Sequence, residues 1–155
     1  MVDEPGSILT SSDGTTWSSK TCGSCGYLYG VTYGNGLFVT VGDSGTILTS
    51  PDGTTWTQRT SGTSIILYGV TYRNSTFVGV GSGGRIITSS DNGTSWTERT
   101  SGISGEKYLY EVTYGNGTFV TVGRLGTILT SSDGISWDNR TSGTSIILYG
   151  VTYSQ

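Results

Sequence analysis

Alanine and histidine are both missing from this chain of 155 residues. Alanine is the strongest helix former, and the glycine, threonine and valine that abound here are poor ones, so an all-β fold is expected. Without histidine, a Ser-His nucleophilic pair cannot be assembled. Charge is scarce as well: 11 acids and 8 bases make up 12% of the residues and leave a net charge of −3. No basic block is present to neutralise a run of phosphates, which argues against a nucleic-acid partner. No apolar run approaches the roughly 20 residues that a membrane span requires. The opening MVDEPGSILTSS has no cationic segment followed by an apolar core. A soluble chain without a signal peptide in these residues is therefore expected, with the compartment left open. Only two cysteines occur, Cys22 and Cys25, in TCGSCG. A loop disulfide, two free thiols or half of a zinc site would each fit that spacing. The lack of any further Cys or His argues against zinc, which needs about four ligands, and no metal or other cofactor is expected.

What is present is repetition. Trp17, Trp56, Trp96 and Trp137 stand 39, 40 and 41 residues apart. The block beginning LYGVTYGNGLFVTVGDSGTILTSPDGTTWTQRTSG recurs three times, preceded by the partial copy GSILTSSDGTTW and followed by SIILYGVTY. The division that follows is a partial blade at 1–26, full repeats at 27–65, 66–105 and 106–145, and a terminal strand at 146–155.

Each unit reads as four short antiparallel strands. The first runs over Leu28 to Tyr33 and ends at a Gly-Asn-Gly turn, a strong hairpin signal because Asn and Gly tolerate positive φ. The second covers Leu37 to Val41, the third Thr46 to Ser50, and the fourth Thr54 to Thr60 after the Pro51-Asp52-Gly53 turn. Four strands per roughly 40 residues is the pattern of a β-propeller blade, giving about four blades per chain. A parallel β-solenoid would use shorter coils and fewer hairpins.

The third-to-fourth turns SSDGTTW, SPDGTTW, SSDNGTSW and SSDGISW resemble the Asp-box of bacterial-neuraminidase-type repeats. The residues that carry the likeness are Asp13 with Trp17, Asp52 with Trp56, Asp91 with Trp96, and Asp133 with Trp137. Only the Asp91 copy has the full spacing; the others are one residue shorter. The blades are also similar to those of the photosystem II assembly-factor family and of phage and bacterial surface propellers. That resemblance implies a propeller and leaves the ligand open. In the box itself, Asp and Ser can hold local backbone amides while Trp seals the hairpin with apolar area.

Tyr29, Tyr68, Tyr110 and Tyr149 recur on the first strand, where hydroxyls at a channel mouth would present a repeated polar surface. Arg59, Arg99 and Arg140 recur in RTSG, either as edge-blunting charge or as sites for an acidic ligand. Departures from the repeat are more telling. Glu111 stands where the other copies have Gly30, Gly69 and Gly150, and Arg124 replaces Asp43. Glu111 and Arg124, with the four tyrosines, are the candidate ligand-binding residues. The acids are scattered rather than placed as a pair across one bond, so no catalytic residue is assigned.

The strand count leaves a third and fourth strand at the start and a first strand at the end. Val2 aligns with a second-strand valine. Closure of the ring by a second copy, in a homodimer of about eight blades, is one expectation. The function expected is a non-catalytic binding or assembly module that recognises a glycan or a protein. The alternatives are a fragment of a sialidase-like enzyme without its catalytic blades, or a structural fragment with no selected ligand.

Overall fold

The computed structural model describes residues 5–154. Val2 lies outside them. The chain is all-β, with fourteen strands among the described residues, arranged as one two-stranded sheet and three four-stranded sheets. A half blade pairs β1 (Ser7–Thr10) with β2 (Ser18–Thr21). Blade 1 is the antiparallel meander β3 (Leu28–Gly34), β4 (Leu37–Gly42), β5 (Ile47–Ser50), β6 (Thr57–Arg59). Blade 2 repeats it with β7 (Leu67–Arg73), β8 (Thr76–Gly81), β9 (Ile86–Ser89) and β10 (Thr97–Arg99). Blade 3 does so again with β11 (Leu109–Gly115), β12 (Thr118–Gly123), β13 (Ile128–Ser131) and β14 (Asp138–Arg140). Among the described residues no helix is long and apolar enough to cross a membrane.

The first hairpin of each blade turns at two residues of positive φ, Asn35 and Gly36 in blade 1. That is the geometry the twist of antiparallel strands favours. A tight turn with a left-handed middle residue, Ser44, Gly83 or Leu125, joins the second strand to the third. The fourth strand is shorter than its sequence suggests. Thr54 and Thr55 belong to the hairpin turn, where both amides donate to Asp52, so pairing begins only at Thr57.

The core lies between blades rather than within them. Val39, Val41 and Ile47 of blade 1 pack against Leu67, Val70, Phe77, Ile87 and Trp96 of blade 2. Val78, Val80 and Ile86 of blade 2 meet Leu109, Val112, Phe119 and Leu129 of blade 3 in the same way. A blade apolar on both faces is stable only when flanked, and the stacking supplies that. Buried hydroxyls are satisfied locally: Thr40 donates to the Gly30 carbonyl at 2.9 Å and Thr121 to that of residue 111 at 2.8 Å.

The first-strand sequence at Leu148–Tyr153 takes no strand pairing. It runs beside blade 3, where the Leu148 amide donates to the Gly123 carbonyl at 3.0 Å.

Candidate functional site

The strands β3, β7 and β11 are edge strands of their sheets, and they lie against one another from blade to blade. Close approach requires glycine at two points. A Cβ on Gly30 would stand 2.7 Å from the Tyr68 carbonyl oxygen, and one on Gly69 would stand 2.9 Å from that of Tyr110. Both neighbours are backbone and cannot rotate aside.

Beside these glycines each strand carries a β-bulge. Leu28 pairs with Gly42 and Gly30 with Val41, leaving Tyr29 without a partner; Tyr68 and Tyr110 are bulged at the same place. A bulge re-aims the side chain of its extra residue. Here it turns the tyrosines into one row. Ring centroids are 5.5 Å apart for Tyr29 and Tyr68, 5.2 Å for Tyr68 and Tyr110, and 5.2 Å for Tyr110 and Tyr149. Tyr108, directly before β11 and the counterpart of Tyr27, adds a fifth ring 6.5 Å from Tyr68.

The row lines an open groove of about 380 Å³ whose floor is Gly30, Gly69 and Glu111. Its rim changes character from blade to blade. The Tyr29 hydroxyl donates to Asp43 at 3.0 Å, and the Ser82 hydroxyl donates to the Tyr68 oxygen at 3.3 Å. The third equivalent position holds Arg124, which lies over the Tyr108 ring and donates to Glu106 at 2.9 Å. Partial desolvation, followed by the neighbouring Asp43, pushes the Tyr29 phenol above its ordinary pKa. Desolvation followed by Tyr68 does the same for Tyr110. At neutral pH Tyr29 and Tyr110 therefore present uncharged hydroxyls.

Glu111 departs from the glycine pattern in structure as well as in sequence. Its Oε2 accepts the Val151 amide at 3.0 Å, and that oxygen is the sole atom near a Cβ built on Gly150. The backbone-to-backbone contact of Gly30 and Gly69 is thus replaced by a side chain inserted between β11 and the terminal segment.

Of the residues singled out in the sequence, the four tyrosines and Glu111 come together in this groove, whereas Arg124 sits on the rim. The Asp and Trp hairpins lie elsewhere and hold turns. The Ser50 hydroxyl donates to Asp52 and accepts the Gly53 amide at 2.8 Å, while the Trp56 indole donates to the Gly53 carbonyl at 3.1 Å. Trp96 and Trp137 make the same bond to Gly93 and Gly134. Backbone amides, those of Thr16, Thr55 and Ser136 foremost, hold the Asp13, Asp52 and Asp133 carboxyls well below the usual range. Asp91, bonded chiefly by the Ser95 hydroxyl, is lowered to about 2. Cys22 and Cys25 are joined as a disulfide in the half blade, with Cα atoms 5.9 Å apart. Arg59, Arg99 and Arg140 each donate Nε–H to a threonine of the adjacent third strand, at 2.9, 2.8 and 2.8 Å.

Two contributors beside the groove were not singled out in the sequence. Asp43 looked like an ordinary turn residue, and its counterparts Ser82 and Arg124 differ from it. Tyr108 does have a periodic signal: it is the counterpart of Tyr27, and the amides of Arg124 and Asp43 donate to the Tyr108 and Tyr27 carbonyls in the same way.

The family described as "DUF6242 beta propeller domain" matches residues 27–109. Among solved structures, YCF48 from Cyanidioschyzon merolae is similar at 21% identity and a TM-score of 0.61, over 76% of this chain and 40% of that one. A structure of YCF48 bound to D1 peptide is similar at 21% identity and a TM-score of 0.60, over 72% of this chain and 39% of that one. The chain thus spans about 40% of the length of the structures that it matches. These likenesses show a shared propeller fold. No curated protein matches the chain.

Proposed function

The chain belongs to the DUF6242 beta propeller domain family, and from that premise we propose that it is a non-catalytic module that binds an extended stretch of another protein along its tyrosine row. The observation that carries this reading is the row itself, a continuous line of rings mounted on the edge strands β3, β7 and β11. A peptide in extended form laid across these strands can set its side chains against successive rings. Tyrosine adds large, rigid contact area with a hydroxyl at its tip, the combination favoured at binding surfaces. The YCF48 structure with D1 peptide supports the choice of a peptide ligand, since it shows a propeller of this shape holding one. Glu111 would meet a backbone amide or a cationic side chain of the ligand, and the Asp43 and Arg124 rims would set its direction.

We read the Ser-Asp-Gly-Trp hairpins as Asp-box repeats serving the fold, on the strength of their shared hydrogen bonds. Selection from a library of random 12-residue peptides, on the wild type and on Tyr68→Ala, tests the proposed function. Peptides retained by the wild type and lost on Tyr68→Ala support it. Binding on a glycan array, with no peptide retained, would replace it with carbohydrate recognition. Sugar release from a sialoside panel would overturn its non-catalytic part.

A further inference from the structure

We infer that the groove selects a lysine of the bound segment, its ammonium held between the second carboxylate oxygen of Glu111 and the faces of Tyr68 and Tyr110. The inference rests on the reading of the row as a peptide site and names the residue class that the row takes. Among the residues lining the groove, Glu111 carries the one formal charge. On the rim, Asp43 is a second acid, and the cation Arg124 is committed to Glu106 at 2.9 Å. The groove therefore meets its ligand with negative charge, in a chain whose net charge is −3. Complementary charge across such a surface speeds encounter and fixes register.

Glu111 is placed to accept a further partner. A regular strand sends neighbouring side chains to opposite faces. The bulge at Tyr110 breaks that alternation, and Tyr110 and Glu111 both line the groove. The Glu111 Oε2 accepts the Val151 amide at 3.0 Å, whereas Oε1 has no hydrogen-bond partner among the described residues. A neutral side chain laid over it would take that oxygen out of water without a donor, a costly arrangement that disfavours such ligands.

The chain's own cations show how tyrosines of this strand and its approach take a positive charge. Arg124 lies 5.6 Å from the centroid of the Tyr108 ring, and Arg73 lies 5.6 Å from that of Tyr114. Tyr110 stands between these two in sequence, with the Tyr68 ring 5.2 Å away. A cation set between ring face and carboxylate is attracted by both. Lysine suits the site better than arginine. A guanidinium gains most from two carboxylate oxygens at once, and one of the two is already bonded to Val151. An ammonium is a compact charge with three donors, for which one oxygen and the ring faces suffice.

Selection from a random-peptide library, on the wild type and on Glu111→Gln in parallel, tests the assignment. Gln keeps an oxygen for the Val151 amide and removes the charge. Glu111→Gly, which restores the residue of the other three copies, serves as a second variant. Among peptides retained by the wild type, lysine is expected to be enriched at one position, and the enrichment is expected to vanish on both variants. A synthetic copy of the most enriched peptide, with that lysine replaced by methionine, is expected to bind the wild type about tenfold more weakly in a calorimetric titration. On Glu111→Gln the two peptides are expected to bind alike. Retained peptides with no preferred lysine, with arginine preferred in its place, or with the lysine preference intact on Glu111→Gln would overturn the inference and leave the peptide site standing. No peptide retained by the wild type would overturn both.

Discussion

The packing of the inner strands is most sharply tested by a single methyl group placed at Gly30, Gly69 or Gly150. A Cβ on Gly30 would lie 2.7 Å from the Tyr68 carbonyl oxygen and 3.1 Å from the Gly69 Cα; on Gly69 it would lie 2.9 Å from the Tyr110 oxygen and 3.1 Å from the Cα of residue 111. Relief requires one blade to move relative to the next, and overpacking of this kind costs about 1–3 kcal/mol. Alanine also narrows the unfolded ensemble, which offsets about 0.4–1 kcal/mol. The net loss is on the order of 1–2 kcal/mol, or roughly 3–6 °C in Tm for a chain of this size. Gly30→Ala should lose at least as much as Gly69→Ala. At Gly150 the added methyl meets only the Glu111 Oε2 at 3.2 Å, the far end of a flexible side chain, so Gly150→Ala should be neutral or slightly stabilising. Thermal unfolding followed by circular dichroism reads all three. Equal Tm values for the three variants would refute the claim that Gly30 and Gly69 are held by backbone contact.

The Trp hairpins differ in burial, and so should their loss. Trp96→Ala, at a side chain 9% exposed, should cost roughly 3–5 kcal/mol by denaturant unfolding. Trp17→Ala, at 59% exposure, should cost under about 1 kcal/mol by the same measurement. Because the four hairpin aspartates have folded-state pKa values below their unfolded values, their contribution is fully present above about pH 4 and is lost as pH falls through the folded pKa. Tm should therefore drop between about pH 4 and pH 2, and Asp52→Asn should lessen that drop; a Tm independent of pH in this range would contradict the hydrogen-bond account. Tyr68→Ala should weaken a selected peptide by at least about tenfold in a calorimetric titration, with Tyr33→Ala, outside the row, leaving affinity unchanged.

The repeat made the blade legible because each strand signal recurs in the same register. Tyr33, Phe38 and Trp56 sit at fixed intervals, and one ring packs on the next within blade 1. What the periodicity hid was anything that breaks pairing. The bulge at Tyr29 leaves alternation on paper intact, so nothing in LYGVTY distinguishes a bulged strand from a regular one. The shortened fourth strand has the same origin: Thr54 and Thr55 have good strand propensity, but the Asp52 carboxylate takes their amides first. Glu111 was visible as a departure from glycine, and its position was informative because close packing leaves no room for a side chain at Gly30 or Gly69. Its bond to Val151 joins residues 40 apart and has no local signal. The groove was thus half legible: its rings repeat, while its rim of Asp43, Ser82 and Arg124 is built from the positions where the copies disagree.

Amide chemical-shift mapping of a library-selected peptide on the labelled protein tests the central claim most directly. The account predicts the largest shifts on the inner strands, at residues 28–32, 67–71 and 109–113. Shifts confined to the outer strands β6, β10 and β14, or to the Asp hairpins, would contradict it.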